Sequence, residues 1–199
     1  IYSIYKDHVL ESEKRKRPIK ISVPINMRRF YPSITTRNFS LFVNVGIDPA
    51  FGEYTFEEII KQVHHFMRLE IDAKKLNAQM AKNVSSEKMF IVRVMPLFIK
   101  RIALGLVFKA VGESRFTGSL SNLGAIKLPA QMQKYVKGVG FVLGRSLVNR
   151  TACAVASLGN TLYVTFSRSI AEAKVERRFF TYLIKQGIPV KIQTNRPQG

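Results

Sequence analysis

Ser119-Leu120-Ser121-Asn122-Leu123-Gly124 reads as the end of a strand running into a turn. Ser119 to Asn122 is a short candidate strand after the chain changes from helix to strands beyond Gly112. Ser121-Asn122-Leu123-Gly124 closes the stretch on a turn. Downstream, Ala152-Cys153-Ala154-Val155-Ala156 and Leu162–Phe166 flank Gly159-Asn160, the signature of a tight hairpin. Val139–Leu143 is a further candidate strand, between Gly124 and Ala152.

Upstream, Ile19-Lys20-Ile21-Ser22-Val23-Pro24-Ile25 alternates in the same way, and Asn38–Ile47 gives a second strand ending in the turn Asp48–Gly52. Thr55 and Glu58 form a capping box that opens a helix with Phe56, Ile59, Ile60, Val63 and Met67 on one face. Helical character is expected to continue in pieces through Ala81. Another helical region should follow Ser85-Ser86 and break near Pro96. A last helix, capped by Ser169 and Glu172, should turn Ala173, Val175, Phe179, Phe180, Leu183 and Ile184 to the core. Gly187 ends it, ahead of an edge strand at Ile188–Ile192. The order β-β-α-α-β-β-β-β-α-β predicts the α/β class, a two-layer sandwich with a mixed β-sheet packed by helices.

The chain has 199 residues, enough for one well-buried domain. Hydrophobic content of 46% and charged content of 23% exclude global disorder. Thirty-two Lys and Arg against 13 Asp and Glu leave a formal charge of +19, a surface that attracts anions. These cations are spread along the chain, and the one cluster, Lys14-Arg15-Lys16-Arg17, fits the basic end of a helix over residues 2–15. A nucleic-acid interface would interleave clustered cations with exposed aromatics, whereas Phe and Tyr here fall in strand and helix core positions. Nucleic acid is therefore a disfavoured partner.

The single cysteine, Cys153, sits in a strand pattern and reads as core; it excludes a disulfide framework and fits a reducing, cytoplasmic setting. Met89–Val111 is the most apolar region, but Arg93, Lys100, Arg101, Lys109 and Pro96 argue against a membrane span; it reads as a core-packed helix with basic edges. Zinc, P-loop and dinucleotide signatures are absent, so no metal site is expected.

Four landmarks, taken in order, resemble the CoA-dependent acyltransferase superfamily, which includes chloramphenicol acetyltransferase, dihydrolipoyl acyltransferase, alcohol acetyltransferases and condensation domains. They are Val23-Pro24-Ile25-Asn26-Met27-Arg28, then Asn38-Phe39, then Ser119 to Gly124, and last the hairpin into Val164-Thr165-Phe166-Ser167. Together they span roughly residues 18–190. The resemblance implies a chloramphenicol acetyltransferase-like half and a CoA thioester, or a carrier-protein thioester, as acyl donor, with no permanently bound cofactor. It implies an oxyanion donor at Ser119, and motif roles for Ser121, Asn122, Gly124, Asn26, Arg28 and Asn38. Asn122 is expected to fix backbone rather than touch substrate.

The general base of that superfamily, the histidine of His-x-x-x-Asp-Gly, has no counterpart here. Arg168 stands at the histidine position and Glu172 at the aspartate position. Arginine stays protonated and cannot take an alcohol proton near neutral pH. His64-His65 is followed by no Asp-Gly at the family spacing, and His8 is isolated.

In two-half members only the first half carries that motif. The chain thus resembles a second half, with residues 1–17 as a helix connecting to an upstream half and residues 18–199 as the C-terminal acyltransferase-like domain. Inactive by itself, it would work with that N-terminal half as partner to move an acyl group to an alcohol or amine; a homo-oligomer is also compatible. Two other readings stay open: a catalytically dead binding or scaffold domain of the same fold, and a basic nucleic-acid-binding domain.

Overall fold

Ile19–Asn26 (β1) and Ser40–Ile47 (β2) pair antiparallel from Ile19↔Ile47 to Asn26↔Ser40. Directly opposed residues share a face, so Ile19, Ile21, Val23 and Ile25 meet Ile47, Val45, Val43 and Leu41 on one side of the ribbon. Gly118–Ala125 (β3) lies parallel to β1, Thr151–Leu158 (β4) lies parallel to β3, and Thr161–Arg168 (β5) returns antiparallel to β4 through Gly159-Asn160. Gly159 has φ of 56°, the left-handed conformation that this two-residue hairpin turn requires. The result is a mixed five-stranded sheet in the order β2-β1-β3-β4-β5.

This computed structural model describes residues 1–9, 18–88, 94, 96–111, 116–144 and 150–195. The chain divides into two compact units, one of Arg15–Ser169 and one of Ile1–Lys14 with Ile170–Gly199. The first unit holds the whole sheet. Two helices, Phe56–Glu70 (α2) and Ala73–Lys88 (α3), cover its apolar face. Their contact is a core of Ile25, Met27, Leu41, Val43 and Leu76, with Met67, Ile71 and Met80 packed around it. Leu76, 1% exposed, contributes about 1.5–3 kcal/mol by leaving water. In the other unit are Tyr2–Val9 (α1) and Lys174–Lys185 (α6), joined by an ion pair between Arg178 and Asp7.

The α/β class and the mixed sheet stand. The capping box is formed, with Thr55 Oγ1 accepting from Glu58 N at 3.2 Å and Glu58 Oε2 accepting from Thr55 N at 2.7 Å. Several expected elements differ. Val139–Leu143 is not a strand, because this stretch runs over side chains of β5 instead of beside its backbone. Ser167 Oγ donates to the Leu143 carbonyl at 2.9 Å, and Tyr163 Oη donates to that of Lys137 at 3.4 Å. Ile188–Ile192 joins no ladder among the described residues.

The last helix begins at Lys174, after Ala173, with no side-chain cap; Glu172 instead pairs with Lys174 at 3.1 Å. Ile184, expected inside, is 56% exposed, while Glu176 is buried. The second strand starts at Ser40, two positions later than its pattern suggested. Ser85 and Ser86 lie within α3, which runs unbroken to Lys88 and is capped at its start by Asp72. The Asp72 Oδ1 accepts from Lys74 N and Lys75 N at 3.0 and 3.2 Å. Phe56 and Ile60 on α2 face outward, leaving Ile59, Val63 and Met67 as the inner stripe.

The largest departure is Leu97–Val111 (α4). Leu97, Phe98, Ile99, Ile102, Leu104 and Leu106 are all exposed, so its described part is not core-packed. Its apolar residues occur all round the helix, a pattern that suits burial on every side. Within this chain nothing described covers them. The last short helix, Ala130–Gln133 (α5), follows Pro129. Residues 10–17, with the Lys14–Arg17 cluster, lie outside the described residues. No helix among the described residues is long and apolar enough to cross a membrane.

Candidate functional site

Parallel strands β1 and β3 are joined by two register pairs only, Ile21↔Gly118 and Ser22↔Ser119. Beyond Ser22↔Ser119 no further pair links them. Pro24 follows shortly on β1, and its ring nitrogen has no hydrogen for a ladder bond. Ser119 therefore sits on the last rung before two parallel strands part. Crevices beside the carboxyl ends of parallel strands are where open α/β sheets receive ligands.

The register places a polar row across all five strands: Asn44 on β2, Ser22 on β1, Ser119 on β3, Ala152 on β4 and Ser167 on β5. The next row is Phe42, Pro24, Ser121, Ala154 and Thr165, with Pro24 and Ser121 in the parted segment. This face is built from small residues and hydroxyls, opposite to the apolar face that packs on α2 and α3. Ser22 is 3% exposed and Ala154 1%, whereas Ser119 and Ser121 are half-buried. No intramolecular hydrogen bond engages the Ser119 hydroxyl among the described residues. Asn44 Oδ1 is buried with no hydrogen-bond partner among the described residues, which costs about 1–3 kcal/mol unless a donor reaches it.

At the end of β3 the Asn-x-Gly turn is locked internally. Asn122 Oδ1 accepts from Gly124 N at 2.8 Å, and Gly124 has φ of 73°. A bulge follows, since the β3–β4 register slips between Asn122 and Ala125. Nothing lies within 4 Å of a β-carbon placed on Gly124, so its backbone angle and not crowding calls for glycine.

Asn26, Arg28 and Asn38 gather at the corresponding end of β1 and the start of β2. Asn26 Oδ1 accepts from Arg28 N at 3.1 Å and caps a short 3-10 turn, Met27–Arg29. The Arg28 guanidinium donates to the carbonyls of Thr35 and Arg37 at 2.6 and 2.8 Å and lies 6.0 Å from the centre of the Phe39 ring. Asn38 Oδ1 accepts from Ser40 Oγ at 2.8 Å. These three residues shape the 27–39 loop. The structure thus brings the β1 and β3 motifs to one end of the sheet. Ser119 lies about 10 Å back along β3 from Asn122, at ~3.3 Å per residue.

The groups at the expected base position do not supply one. Arg168 is half-buried on β5 opposite Thr151. His64 and His65 are exposed on α2, their rings 5.8 Å apart edge to face. On the apolar face, burial pushes the Cys153 thiol up to about 11, so it is neutral near pH 7 and a poor nucleophile. No cluster of metal-ligating side chains occurs among the described residues.

Sequence reasoning singled out neither Ser22 nor Asn44. Their signal was present: each is a polar residue inside an apolar alternation, and only the register shows that both flank the Ser119 row. No family model, curated protein or solved structure matches the chain.

Proposed function

We propose that this chain forms one wall of an acyl-transfer site, as the C-terminal half of an alcohol acetyltransferase-like or condensation-domain-like protein with a chloramphenicol acetyltransferase-like fold. The observation that carries this is Ser119, a half-buried hydroxyl with no hydrogen-bond partner among the described residues, held where β1 and β3 separate. Acyl transfer from a thioester passes through a tetrahedral oxyanion, and a preorganised O–H donor facing it lowers the barrier. Asn122 and Gly124 hold the end of the same strand in place by their own hydrogen bond.

The base is supplied from outside this chain, by a half bearing His-x-x-x-Asp-Gly. It takes the acceptor's proton while Ser119 stabilises the oxyanion; the thiolate of the donor then leaves. The exposed apolar side chains Phe42 and Leu123, and those of α4, fit a surface that such a half covers. The +19 charge suits a phosphate-bearing CoA donor.

The test is release of CoA thiol from acetyl-CoA in the presence of an alcohol or amine acceptor. The chain alone should give no turnover, and the chain joined to its histidine-bearing half should give it. Absence of turnover by the joined protein across alcohol and amine acceptors, with both acetyl-CoA and longer acyl-CoA donors, sinks the proposal. Turnover by the isolated chain would show that the base lies within it.

A further inference from the structure

We infer that α4 docks this chain on an anionic lipid membrane, lying in the plane of the surface with one apolar stripe among the acyl chains. The inference goes beyond the acyl-transfer reading and is tested without turnover. Ile99, Ile102 and Leu106 follow one another at i, i+3 and i+7, so they share one stripe of the helix, and Ile102 and Leu106 are 64% and 65% exposed. At about 100° per residue, Arg101 stands nearly opposite this stripe and Lys100 on its flank. Leu97 and Leu104, a second pair seven residues apart, are exposed on the far side beside Arg101.

One protein partner covers one face of a helix, and α4 is apolar on both. The histidine-bearing half of the proposed enzyme can take the side of Leu97 and Leu104, and the stripe of Ile99, Ile102 and Leu106 still needs a cover. Charge decides which cover that is. Residues 89–112 contain no Asp or Glu and four cations, Arg93, Lys100, Arg101 and Lys109, in a chain of net charge +19. A second copy would bring the same cations face to face, and like charges oppose that pairing. An anionic bilayer supplies hydrocarbon for the stripe and phosphates for the cations in one surface.

The dimensions of α4 suit an in-plane helix. Its 15 residues extend about 22 Å, short of the ~30 Å hydrocarbon core, so α4 lies on the surface instead of spanning it. With the stripe turned down, Lys100 reaches the headgroup phosphates from the flank, its methylene stem along the acyl boundary. Arg101 points up to water and phosphate.

The chain contains no tryptophan, so a single introduced indole reports its depth without background. Ile99→Trp, Ile102→Trp, Leu106→Trp, Leu97→Trp and Leu104→Trp are each mixed with two kinds of vesicle, phosphatidylcholine alone and phosphatidylcholine with about 30% phosphatidylserine. Parallel samples carry brominated acyl chains. Indoles at 99, 102 and 106 should shift to the blue and be quenched by bromine only in the anionic vesicles, and those at 97 and 104 clearly less. Equal quenching at all five positions means that the helix is not held in plane. No quenching at 102, or a blue shift there that grows with protein concentration in the absence of vesicles, means that lipid is not its cover. Each of these results overturns the inference.

Co-sedimentation with the same vesicles then separates docking by α4 from diffuse attraction to a chain of charge +19. Ile99→Ser, Ile102→Ser and Leu106→Ser, made together at exposed positions, should weaken binding to the anionic vesicles by about tenfold or more. Lys100→Gln with Arg101→Gln should weaken it about fivefold for each cation removed. The matched pair Lys61→Gln with Lys74→Gln, at exposed positions on α2 and α3, removes the same charge and should cost clearly less. Equal loss from the two pairs, or unchanged binding by the triple serine variant, overturns the inference. Neither result bears on turnover by the joined protein, so the acyl-transfer proposal is judged separately.

Discussion

Gly46→Ala should break the sheet that positions Ser119. A β-carbon built on Gly46 lies 1.8 Å from the Ile19 carbonyl oxygen and 2.8 Å from both the Ile19 carbonyl carbon and Lys20 Cα. An ordinary carbon–oxygen approach is about 3.3 Å, so β1 and β2 would have to move apart by about 1.5 Å at this rung. All three atoms are backbone, and β1 is held on its other edge by β3, where Thr117 N donates to Lys20 O. The substitution therefore adds an overpacking cost of about 1–3 kcal/mol. It also breaks one or two ladder hydrogen bonds at about 1 kcal/mol each, for a total of about 2–5 kcal/mol.

Gly105→Ala is the matched control. Nothing lies within 4 Å of a β-carbon there, and alanine in a helix gains about 0.5–1 kcal/mol over glycine. Urea unfolding followed by far-UV circular dichroism, with linear extrapolation, should show the two variants shifting in opposite directions. A Gly46→Ala stability within about 0.5 kcal/mol of wild type would refute the β1–β2 register on which the Asn44–Ser22–Ser119 row depends.

Four further outcomes follow from local geometry. Thr55→Ala should cost about 1 kcal/mol by opening the capping box, read as a lower urea midpoint. Bonds from Thr55 hold the Glu58 carboxyl below its ordinary value of 4.5, so its contribution is present above that pH and is lost as pH falls below it. The melting temperatures of wild type and Glu58→Gln should converge on acidification, and a gap that stays constant from pH 6 to pH 3 would contradict this. Alkylation of Cys153 by iodoacetamide should reach half its limiting rate near pH 11 in the native chain, not near the ordinary 9.0, and return toward 9.0 in urea. A native midpoint near 9 would mean the thiol is not buried as described. Gly124→Ala should destabilise by about 1 kcal/mol, because φ of 73° is strained for any β-carbon, and Gly124→Asn should do so less.

The strands of the sheet were legible wherever alternation and turn chemistry agreed. Ile19–Ile25, the Gly159-Asn160 hairpin and the Thr55 capping box each carry their signal within a few residues. Val139–Leu143 misled because its apolar run serves a segment lying over Tyr163 and Ser167, and apolar composition alone does not tell a strand from an extended cover. The start of the last helix misled because Glu172 is a good capping residue in sequence but bonds Lys174 instead. The serines at 85 and 86 looked like a boundary because serine favours caps, yet they lie inside α3, whose start is capped by Asp72.

The site was half legible. Asn26, Arg28, Asn38, Asn122 and Gly124 could be picked out as motif residues, and each now has a definite hydrogen bond or backbone role. The parting of β1 from β3 and the row through Ser22 and Asn44 depend on register between strands nearly a hundred residues apart, as Ser22↔Ser119 shows. Nothing local in the sequence encodes that pairing. The outward face of α4 was misjudged for a related reason: apolar composition says that a helix will be covered, not by which polypeptide.

The most direct measurement is kcat for Ser119→Ala beside Ser121→Ala in the chain joined to the histidine-bearing half that the proposed function requires. Loss of an oxyanion donor should lower kcat by about 10²–10³ for Ser119→Ala, with Ser119→Thr retaining activity and Ser121→Ala close to wild type. Equal kcat for Ser119→Ala and wild type, in a protein that turns over acyl-CoA, would contradict the assignment of Ser119.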